Sequence, residues 1–481
     1  MAKEGAIYED DLDFDFDDDP DLDIETDDPD IFESDSVEPA GQVAVSDFGG
    51  GYETTSPQGG DVNLEAPTKE VVFDDSAFEI TDPSEGIRPI PAISVLAFLE
   101  KPSSHDLMYG VSQDRRMARV SLEVADGGLE AAIAYLSENQ SPNLLIVESG
   151  VDANQMIKQI DRLAEHCDEG VEVMVIGATN DIKLYRQLTA RGVSEYIVPP
   201  IRPLHIIGSI AELFTDPDDP FLGRSIAVVG AKGGVGSSTI AHNLAWAISE
   251  NAGFNTTLVD LDVSFGTTAL DFNEDPQQTV IDALTDPDRA DDAVVQRLLA
   301  KATDRLSLFA APASISENYD ISDEAYSAVI ATVRRNVPFI VLDLPHTWSK
   351  WMMQTLTDAE EVVLVCQPDL ASLRNGKNII DQLLPARPND EKPKIVLNMA
   401  SMPKRPEIPV KDFAAAIGVE PSIVLPFEPQ LFGMASNNGQ MISESDPAAK
   451  SSLAIDHLAS LITGKSVESR PKSFIQKLLG K

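Results

Sequence analysis

The chain has 481 residues with 80 acidic and 36 basic side chains, which gives a formal net charge of −44. This length suits two or three domains, and a hydrophobic content of 43% excludes a chain that is disordered throughout. So much negative charge argues against binding to DNA phosphates or anionic lipid, except through a segregated basic patch. We therefore expect no nucleic-acid partner.

Residues 1–88 hold most of the excess charge. Residues 1–90 contain 28 Asp or Glu against three Lys or Arg, a net of −25, which leaves −19 for the other 391 residues. Self-repulsion and sparse apolar content predict an acidic disordered segment. It is either a solubilising tail or a docking segment for a basic partner, with its aromatic side chains as anchors.

The first residues and the cysteines indicate the compartment. The start, MAKEGAIYEDD, has no apolar run typical of a signal peptide, and no stretch of about 18 apolar residues exists that could span a membrane. Cys167 and Cys366 lie far apart and form no CxxC pair, which disfavours a disulfide framework or a zinc site. We expect a soluble intracellular protein.

Residues 93–214 alternate short apolar runs with amphipathic stretches. The runs ISVLAFL, NLLIVES, VEVMVIGA and SEYIVPP are typical of buried parallel strands, and GGLEAAIAYLSEN and MIKQIDRLAEHC are typical of helices. This alternation predicts a small doubly wound α/β domain. NLLIVES and GVSEYIVPPIRPLHI resemble a response-regulator receiver domain; a plain Rossmann-like fold without receiver ancestry is the alternative.

The receiver resemblance implies phosphorylation chemistry that these residues lack. The first strand runs into LEKPSS and offers only Glu100 where a receiver has its Mg²⁺-binding acids. Glu148 occupies the phosphoacceptor position, and Pro199 stands where the phosphate-stabilising lysine is expected. We therefore expect a receiver-like interaction module that is not phosphorylated. Glu148 as a fixed mimic of the phosphorylated state is the alternative.

A Pro- and Asp-rich linker, residues 215–224, leads to a second α/β domain at residues 225–464. Its strand SIAVVG and its helix STIAHNLAWAISE flank the glycine-rich loop AKGGVGSST, residues 231–239. Such a loop turns its backbone N–H groups toward one anion, and the helix N-terminus adds partial positive charge. The candidate nucleotide-binding residues of the loop are Lys232, Gly233, Gly234, Val235, Gly236, Ser237, Ser238 and Thr239.

This loop resembles the deviant Walker A motif, KGGxGK[ST]T, of the ParA/MinD ATPase superfamily. The resemblance implies a P-loop parallel-sheet domain, ATP and Mg²⁺ as ligands, and a homodimer that sandwiches ATP. Lys232 matches the signature lysine that reaches the partner's phosphates, and Ser238 matches the hydroxyl that ligates Mg²⁺. Ser237 replaces the usual P-loop lysine, and Ala231 replaces a glycine. Because the γ-phosphate loses a charge-assisted contact, we expect ATP binding with slow turnover.

Two aspartate motifs follow in the superfamily's order. In LVDLDVSFG, the resemblance makes Asp262 the residue that positions the attacking water, with Asp260 near the Mg²⁺ shell; a simple helix-capping turn is the alternative. In FIVLDLPH, Asp343 matches the Walker B aspartate that holds Mg²⁺ through water. Thr347 stands where the superfamily has a glycine that senses the γ-phosphate.

Later segments complete the resemblance. Arg374, in PDLASLRNGK, either faces a dimer partner or is an ordinary surface residue. Asn398 falls where the superfamily reads adenine. Three residues of LPFEP fall beside the purine ring: Pro426, Phe427 and Glu428.

The combination of a receiver-like domain without phosphorylation residues, KGGVGSST and DLPH resembles the CpaE/TadZ family of Flp/Tad (type IVb) pilus-assembly proteins. That resemblance implies an ATP-dependent dimer, located in the cytoplasm at the inner face of the plasma membrane and at a cell pole. It would recruit the pilus secretion motor and platform proteins. The alternatives are a nucleotide-independent scaffold and a MinD- or ParA-type ATPase that positions division or DNA cargo.

The last residues carry charge of the opposite sign. Residues 465–481, KSVESRPKSFIQKLLGK, contain five basic residues and one acidic residue, with apolar side chains at helical spacing. This basic amphipathic tail is either a peripheral membrane contact or a frayed soluble end.

Overall fold

The computed structural model describes residues 90–215, 222–313 and 319–465, all within one compact unit, Phe73–Lys481. The acidic segment 1–88, residues 216–221 of the linker and residues 466–481 of the basic tail lie outside the described residues. Within the described ranges, no helix is both long and apolar enough to cross a membrane.

The first sheet has five parallel strands in the order β2-β1-β3-β4-β5, which is the doubly wound order of flavodoxin-like folds. Its strands are β1 (Ser94–Leu99), β2 (Ser121–Asp126), β3 (Leu144–Ser149), β4 (Glu172–Gly177) and β5 (Glu195–Ile197). Its helices are α1 (Pro102–Ser112), α2 (Gly128–Leu136), α3 (Ala153–Ala164), α4 (Ile182–Thr189) and α5 (Pro203–Phe214).

The second sheet has eight strands in the order β13-β12-β11-β6-β10-β7-β9-β8, parallel except for the short pair β8–β9. Its strands are β6 (Arg224–Gly230), β7 (Thr256–Asp260), β8 (Ala300–Lys301), β9 (Leu306–Phe309), β10 (Phe339–Asp343), β11 (Glu361–Cys366), β12 (Lys394–Ala400) and β13 (Pro421–Pro426).

Eleven helices connect and cover these strands in the described part of the chain. They are α6 (Ser237–Trp246), α7 (Thr268–Asp271), α8 (Val280–Leu284), α9 (Asp292–Leu298), α10 (Asp323–Arg334), α11 (Lys350–Asp358), α12 (Leu370–Ala386), α13 (Val410–Ile417), α14 (Pro429–Asn437), α15 (Ile442–Ser445) and α16 (Lys450–Thr463). The α/β fold class with parallel sheets is confirmed.

The central strands of both sheets are buried on both faces. β3, β10 and β11 have no exposed residue, and separate apolar clusters fill the two sides of each sheet. This is why near-continuous Val, Ile and Leu runs marked them in the sequence. The edge strand β2 was not predicted, because its SLEVAD residues are exposed or half-buried and carry no apolar run.

A buried cluster of charged side chains joins the elements around the two sheets. Arg115 and Arg116, which follow α1, both pair with the carboxylate of Asp390, which follows α12; the Arg115 Nε–Asp390 Oδ2 distance is 3.3 Å. Asn389 donates to Gly110 O and to Asp114 Oδ2, each at 3.0 Å. We call the five side chains in these contacts the inter-sheet cluster: Asp114, Arg115, Arg116, Asn389 and Asp390.

Asp390 is the common acceptor of the inter-sheet cluster. Its side chain is 5% exposed. Arg387, which directly follows α12, has its Nε 3.7 Å from Asp390 Oδ2. Burial acts to raise the pKa of Asp390, but the charges of Arg116, Arg115 and Arg387 outweigh it and hold that pKa below its usual range. One carboxylate therefore balances several buried guanidinium groups.

Replacing Asp390 by Asn is expected to destabilise the folded chain by about 3–5 kcal/mol, because it leaves buried arginines without their counter-charge. Urea unfolding of the full chain, followed by circular dichroism, measures this loss. Asp381→Asn is the matched control: Asp381 pairs with Lys377 at 3.0 Å with both side chains about half exposed, so a loss of at most about 1 kcal/mol is expected. Equal losses in the two variants would contradict the role given to Asp390.

Candidate functional site

The glycine-rich loop lies at the carboxyl edge of the second sheet. It connects the central strand β6 to α6, and the ends of β7, β10, β11 and β12 lie on either side of it. This edge is where open parallel sheets bind their ligands. Gly234 and Gly236 have φ values of +74° and +87°, in the left-handed region that favours glycine.

Three amide side chains, distant in sequence, hold the carbonyls of this loop: one follows β11, one lies in α12 and one lies in β12. Asn375 Nδ2 donates to Ala231 O at 3.0 Å, Gln367 Nε2 donates to Gly234 O at 3.1 Å, and Asn398 Nδ2 donates to Val235 O at 2.8 Å. In a trans peptide the N–H points away from the C=O. These three hydrogen bonds, which we call the clamps, therefore turn the N–H groups of residues 232, 235 and 236 away from the amide side chains. N–H groups turned in this way can bind an anion.

Asn398 thus contacts the P-loop itself, and its Oδ1 accepts from the backbone N–H of Met399 at 2.9 Å. The reading of adenine by Asn398 stays a prediction. Pro426 ends β13, and Phe427 N donates to Ala400 O at 2.8 Å, beside the end of β12. Glu428 accepts from Ser451 Oγ at 2.7 Å. Pro426, Phe427 and Glu428 are half-buried, so all three retain an accessible surface at this edge.

Lys232 lies in the loop with about a third of its side chain exposed, and its Nζ is 2.8 Å from Asp369 Oδ2. Asp369 caps α12 by accepting from Ser372 N at 2.9 Å. Burial acts to raise the pKa of Asp369, but the hydrogen bonds from Lys232 and Ser372 lower it below its usual value. Arg374, one turn into α12, is exposed and bonds within its helix to Asn375 Oδ1.

Ser237 is the first residue of α6, and Ser237, Ser238 and Thr239 are all half-buried. A hydroxyl at position 237 cannot supply positive charge to a bound phosphate. Lys232 is therefore the one cationic side chain within residues 231–239.

Aspartates end the two strands beside the loop. Asp260 (end of β7) is 0% exposed and accepts from the N–H groups of Asp262 and Thr268 at 3.1 and 3.2 Å. Asp343 (end of β10) is 1% exposed, and neither of its carboxylate oxygens has a hydrogen-bond partner among the described residues. A buried carboxylate without donors is costly unless a cation approaches it, so Asp343 fits the predicted metal position.

Asp262 is half-buried, and its Oδ1 accepts from Phe265 N at 3.0 Å. It therefore closes the turn between β7 and α7 without capping the helix, and its role of positioning the attacking water stays a prediction. Gly266 closes this turn over Asp260: a Cβ there would lie 2.3 Å from Asp260 Oδ2.

A buried histidine that the sequence analysis did not single out completes the cluster. His242, one turn after Ser238 in α6, is 1% exposed; its Nδ1 is 2.9 Å from Asp271 Oδ2, and its Nε2 is 3.5 Å from Asp343 Oδ2. Burial acts to lower the pKa of His242, but the hydrogen bond with Asp271 and the charges of Asp343 and Asp271 raise it to about 9. Burial and the charge of Asp343 raise the pKa of Asp260 to about 7.

A signal for His242 was present in the sequence. The residue stands among apolar positions of AHNLAW, on the face of the helix that must pack on the sheet. A histidine on a buried face needs polar partners, and the nearest candidates were the aspartates ending β7 and β10.

The receiver-like site has a different arrangement. Glu148, at the end of β3, is 1% exposed; its Oε2 accepts from the N–H groups of Glu100 and Lys101 at 2.9 and 3.0 Å, and Lys101 Nζ is 3.1 Å from Oε1. Burial acts to raise the pKa of Glu148, but these contacts lower it below its usual value. The carboxylate is thus bound internally, at the start of α1.

Comparison with known proteins places the second sheet in a class. The AAA_31 family, described as an AAA domain, matches residues 223–389. The septum site-determining protein MinD of Bacillus subtilis is 24% identical over 250 residues, which cover 51% of this chain and 91% of MinD. The chain contains a ParA/MinD-like ATPase domain.

Two solved structures are similar to different shares of the chain. The pilus assembly protein CpaE of Caulobacter crescentus is 42% identical and covers 27% of this chain and 100% of its own, with a TM-score of 0.27. A ParA family ATPase of Chlorobium tepidum is 26% identical and covers 49% and 98%, with a TM-score of 0.44.

Proposed function

We propose that this protein is an ATP-binding, dimerising localisation and assembly factor for a Flp/Tad (type IVb) pilus secretion machinery, with slow or absent ATP hydrolysis. The observation that carries the proposal is the P-loop: its carbonyls are clamped from behind, its N–H groups face outward, and Lys232 stands beside it. A clamped loop of this kind is prepared for phosphate, and the absent lysine at Ser237 weakens turnover more than binding.

We also propose that the site binds Mg²⁺ together with ATP. Asp343 offers a buried, unpartnered carboxylate, and Asp260 and the Ser238 hydroxyl supply further oxygens of the kind that Mg²⁺ prefers. When bound, Mg²⁺ would neutralise phosphate charge. The chain's own residues would do the rest: the P-loop amides hold the phosphates, Lys232 supplies charge, and Asp262 orients the turn beside them.

Exposed apolar side chains support a dimer at this edge. Phe265, Trp348 and Leu370 follow β7, β10 and β11 respectively, and they are 74%, 54% and 73% exposed. Such a group around a polar site is typical of an interaction surface. Leu370 directly follows Asp369, the residue that pairs with Lys232. A partner that binds at Leu370 would therefore lie beside Lys232, and Lys232 would leave Asp369 to contact it.

The pilus role is supported by the order of the two domains and by the internally bound Glu148. A receiver-like domain whose carboxylate is bound to backbone N–H groups and Lys101 is suited to constant binding rather than to phosphorylation. We propose the pilus secretion motor and platform proteins at the inner membrane as partners. Their recruitment would place the protein at a cell pole, with the basic tail as a further membrane contact.

Lys232→Ala is expected to weaken Mg²⁺–ATP binding by roughly 10- to 100-fold, since a hydrogen bond to a charged group is worth about 1.5–3 kcal/mol. It should also abolish ATP-dependent dimers. Calorimetric titration and light scattering of the full chain measure both effects. Lys377→Ala, on the exposed side of α12, is the matched control and should bind and dimerise as wild type does. If no variant binds ATP, including wild type, the nucleotide-independent scaffold replaces this proposal.

In the bacterium, Lys232→Ala is expected to disperse a fluorescent fusion from the pole and to reduce surface pili, because both effects require the ATP-bound dimer. Fluorescence microscopy and electron microscopy of pili measure the outcome, with Lys377→Ala retaining both foci and pili. Normal pili in a strain without the protein would contradict the pilus role. Foci at the division plane would favour the MinD-type alternative.

A further inference from the structure

We propose that His242, Asp260 and Asp343 form a buried site for a divalent first-row transition ion, such as Mn²⁺ or Zn²⁺, that binds without nucleotide. The site deepens the cation-binding part of the proposed function and rests on Asp343 as a cation ligand. It adds an imidazole ligand to carboxylates that were otherwise expected to serve Mg²⁺ alone.

The distances within the cluster fit two ligands on one ion. His242 Nε2 and Asp343 Oδ2 are 3.5 Å apart, at the limit for a hydrogen bond. Two ligands that each lie about 2.0–2.1 Å from a tetrahedral ion are separated by about 3.3–3.4 Å. One ligand atom from each of His242, Asp260 and Asp343 lies within 4.8 Å of the others, so one ion can contact all three after small side-chain shifts.

Independent of that spacing, Asp343 needs a partner. Both of its oxygens lack hydrogen bonds in the described part of the chain, although the side chain is 1% exposed. The backbone contacts of Asp260 leave its two carboxylate oxygens with one N–H donor each, so further lone pairs remain. Two buried carboxylates close together are compensated best by a doubly charged ion.

His242 is oriented in the way that metal-bound histidines are. Its Nδ1 faces Asp271 Oδ2 at 2.9 Å, and because a carboxylate only accepts, Nδ1 carries the hydrogen. Its Nε2 faces Thr268 Oγ1, at 3.0 Å, and Asp343 Oδ2, and a bound ion would take the place of the hydrogen on Nε2, because metal binding at a histidine releases a proton. A carboxylate that fixes the tautomer of a ligating histidine is a common second partner in metal sites. We assign this positioning role to Asp271.

The ligand set decides the kind of ion. Mg²⁺ prefers oxygen ligands and retains several waters, so it is not expected to take the imidazole nitrogen of His242 as a ligand. Imidazole with carboxylates suits Mn²⁺, Fe²⁺ and Zn²⁺. The turn of residues 262–267, which covers Asp260, is partly exposed, and an ion would have to pass this turn to reach the cluster.

Pulsed electron paramagnetic resonance of Mn²⁺ bound to the wild-type full chain, without nucleotide, tests the site directly. A nitrogen coupling from one directly bound imidazole is expected. Bound Mn²⁺ that shows no nitrogen coupling, or no specific Mn²⁺ binding in excess Mg²⁺, would overturn the proposal. Adding ATP distinguishes the nucleotide site from the site at His242. Bound Mn²⁺ that shows phosphorus coupling but no nitrogen coupling would support the nucleotide site and contradict the site at His242.

Competition titration of Zn²⁺ against a chromophoric chelator, in excess Mg²⁺, gives the contribution of each residue. His242→Gln is expected to lose most of the affinity, and Asp271→Asn is expected to lose roughly 10- to 100-fold, as for other outer partners of metal ligands. His105→Gln is the matched control, because His105 pairs with the exposed Asp126 in the first sheet. Equal affinity in His242→Gln and wild type, with both proteins folded by circular dichroism, would contradict the assignment.

Discussion

At the carboxyl edge of the second sheet, acidic side chains outnumber basic ones, and the other features of the site depend on this excess. Asp260 and Asp343 end the neighbouring strands β7 and β10, and Asp369 follows β11 on the other side of β6, whereas the P-loop contributes the single ammonium of Lys232. Uncompensated buried carboxylates are costly, so the site requires cations from elsewhere. His242 supplies one from inside the fold, and a metal ion with nucleotide is the proposed source of the others. The replacement of a lysine by Ser237 makes this dependence stronger.

The rest of the fold positions that edge. Seven parallel strands end on one side, and the loop after β6 is fixed by amide side chains from β11, α12 and β12. Because these amide side chains belong to elements with buried apolar faces, the packed core holds the loop in its observed shape. The ion pair between Arg115 and Asp390 joins the first sheet's elements to those of the second sheet. In the first sheet, Lys101 pairs with the buried carboxylate of Glu148. These two ion pairs favour a rigid structure in which the P-loop edge is the site that changes when a ligand binds.

The sequence predicted the fold class and the position of the P-loop, because buried parallel strands and a glycine-rich turn have local patterns. It could not predict the clamps on the loop, whose partners lie 133 to 163 residues apart. Asn398 shows the difference: the sequence predicted that it reads adenine, whereas its hydrogen bond to Val235 O is a property of the packed sheet. His242 was likewise visible as a residue, whereas its contacts with Asp271 and Asp343 arise from three separate elements.

The most direct test of this account is phosphate release by Ser237→Lys, with ATP binding measured on the same sample. Restoring an ammonium at the first residue of α6 adds a charge-assisted contact worth about 1.5–3 kcal/mol, which corresponds to roughly 10- to 150-fold if it acts in the transition state. The account predicts a rise of that order in turnover, with a smaller gain in affinity. Unchanged turnover in a variant that binds ATP would contradict the claim that Ser237 limits hydrolysis.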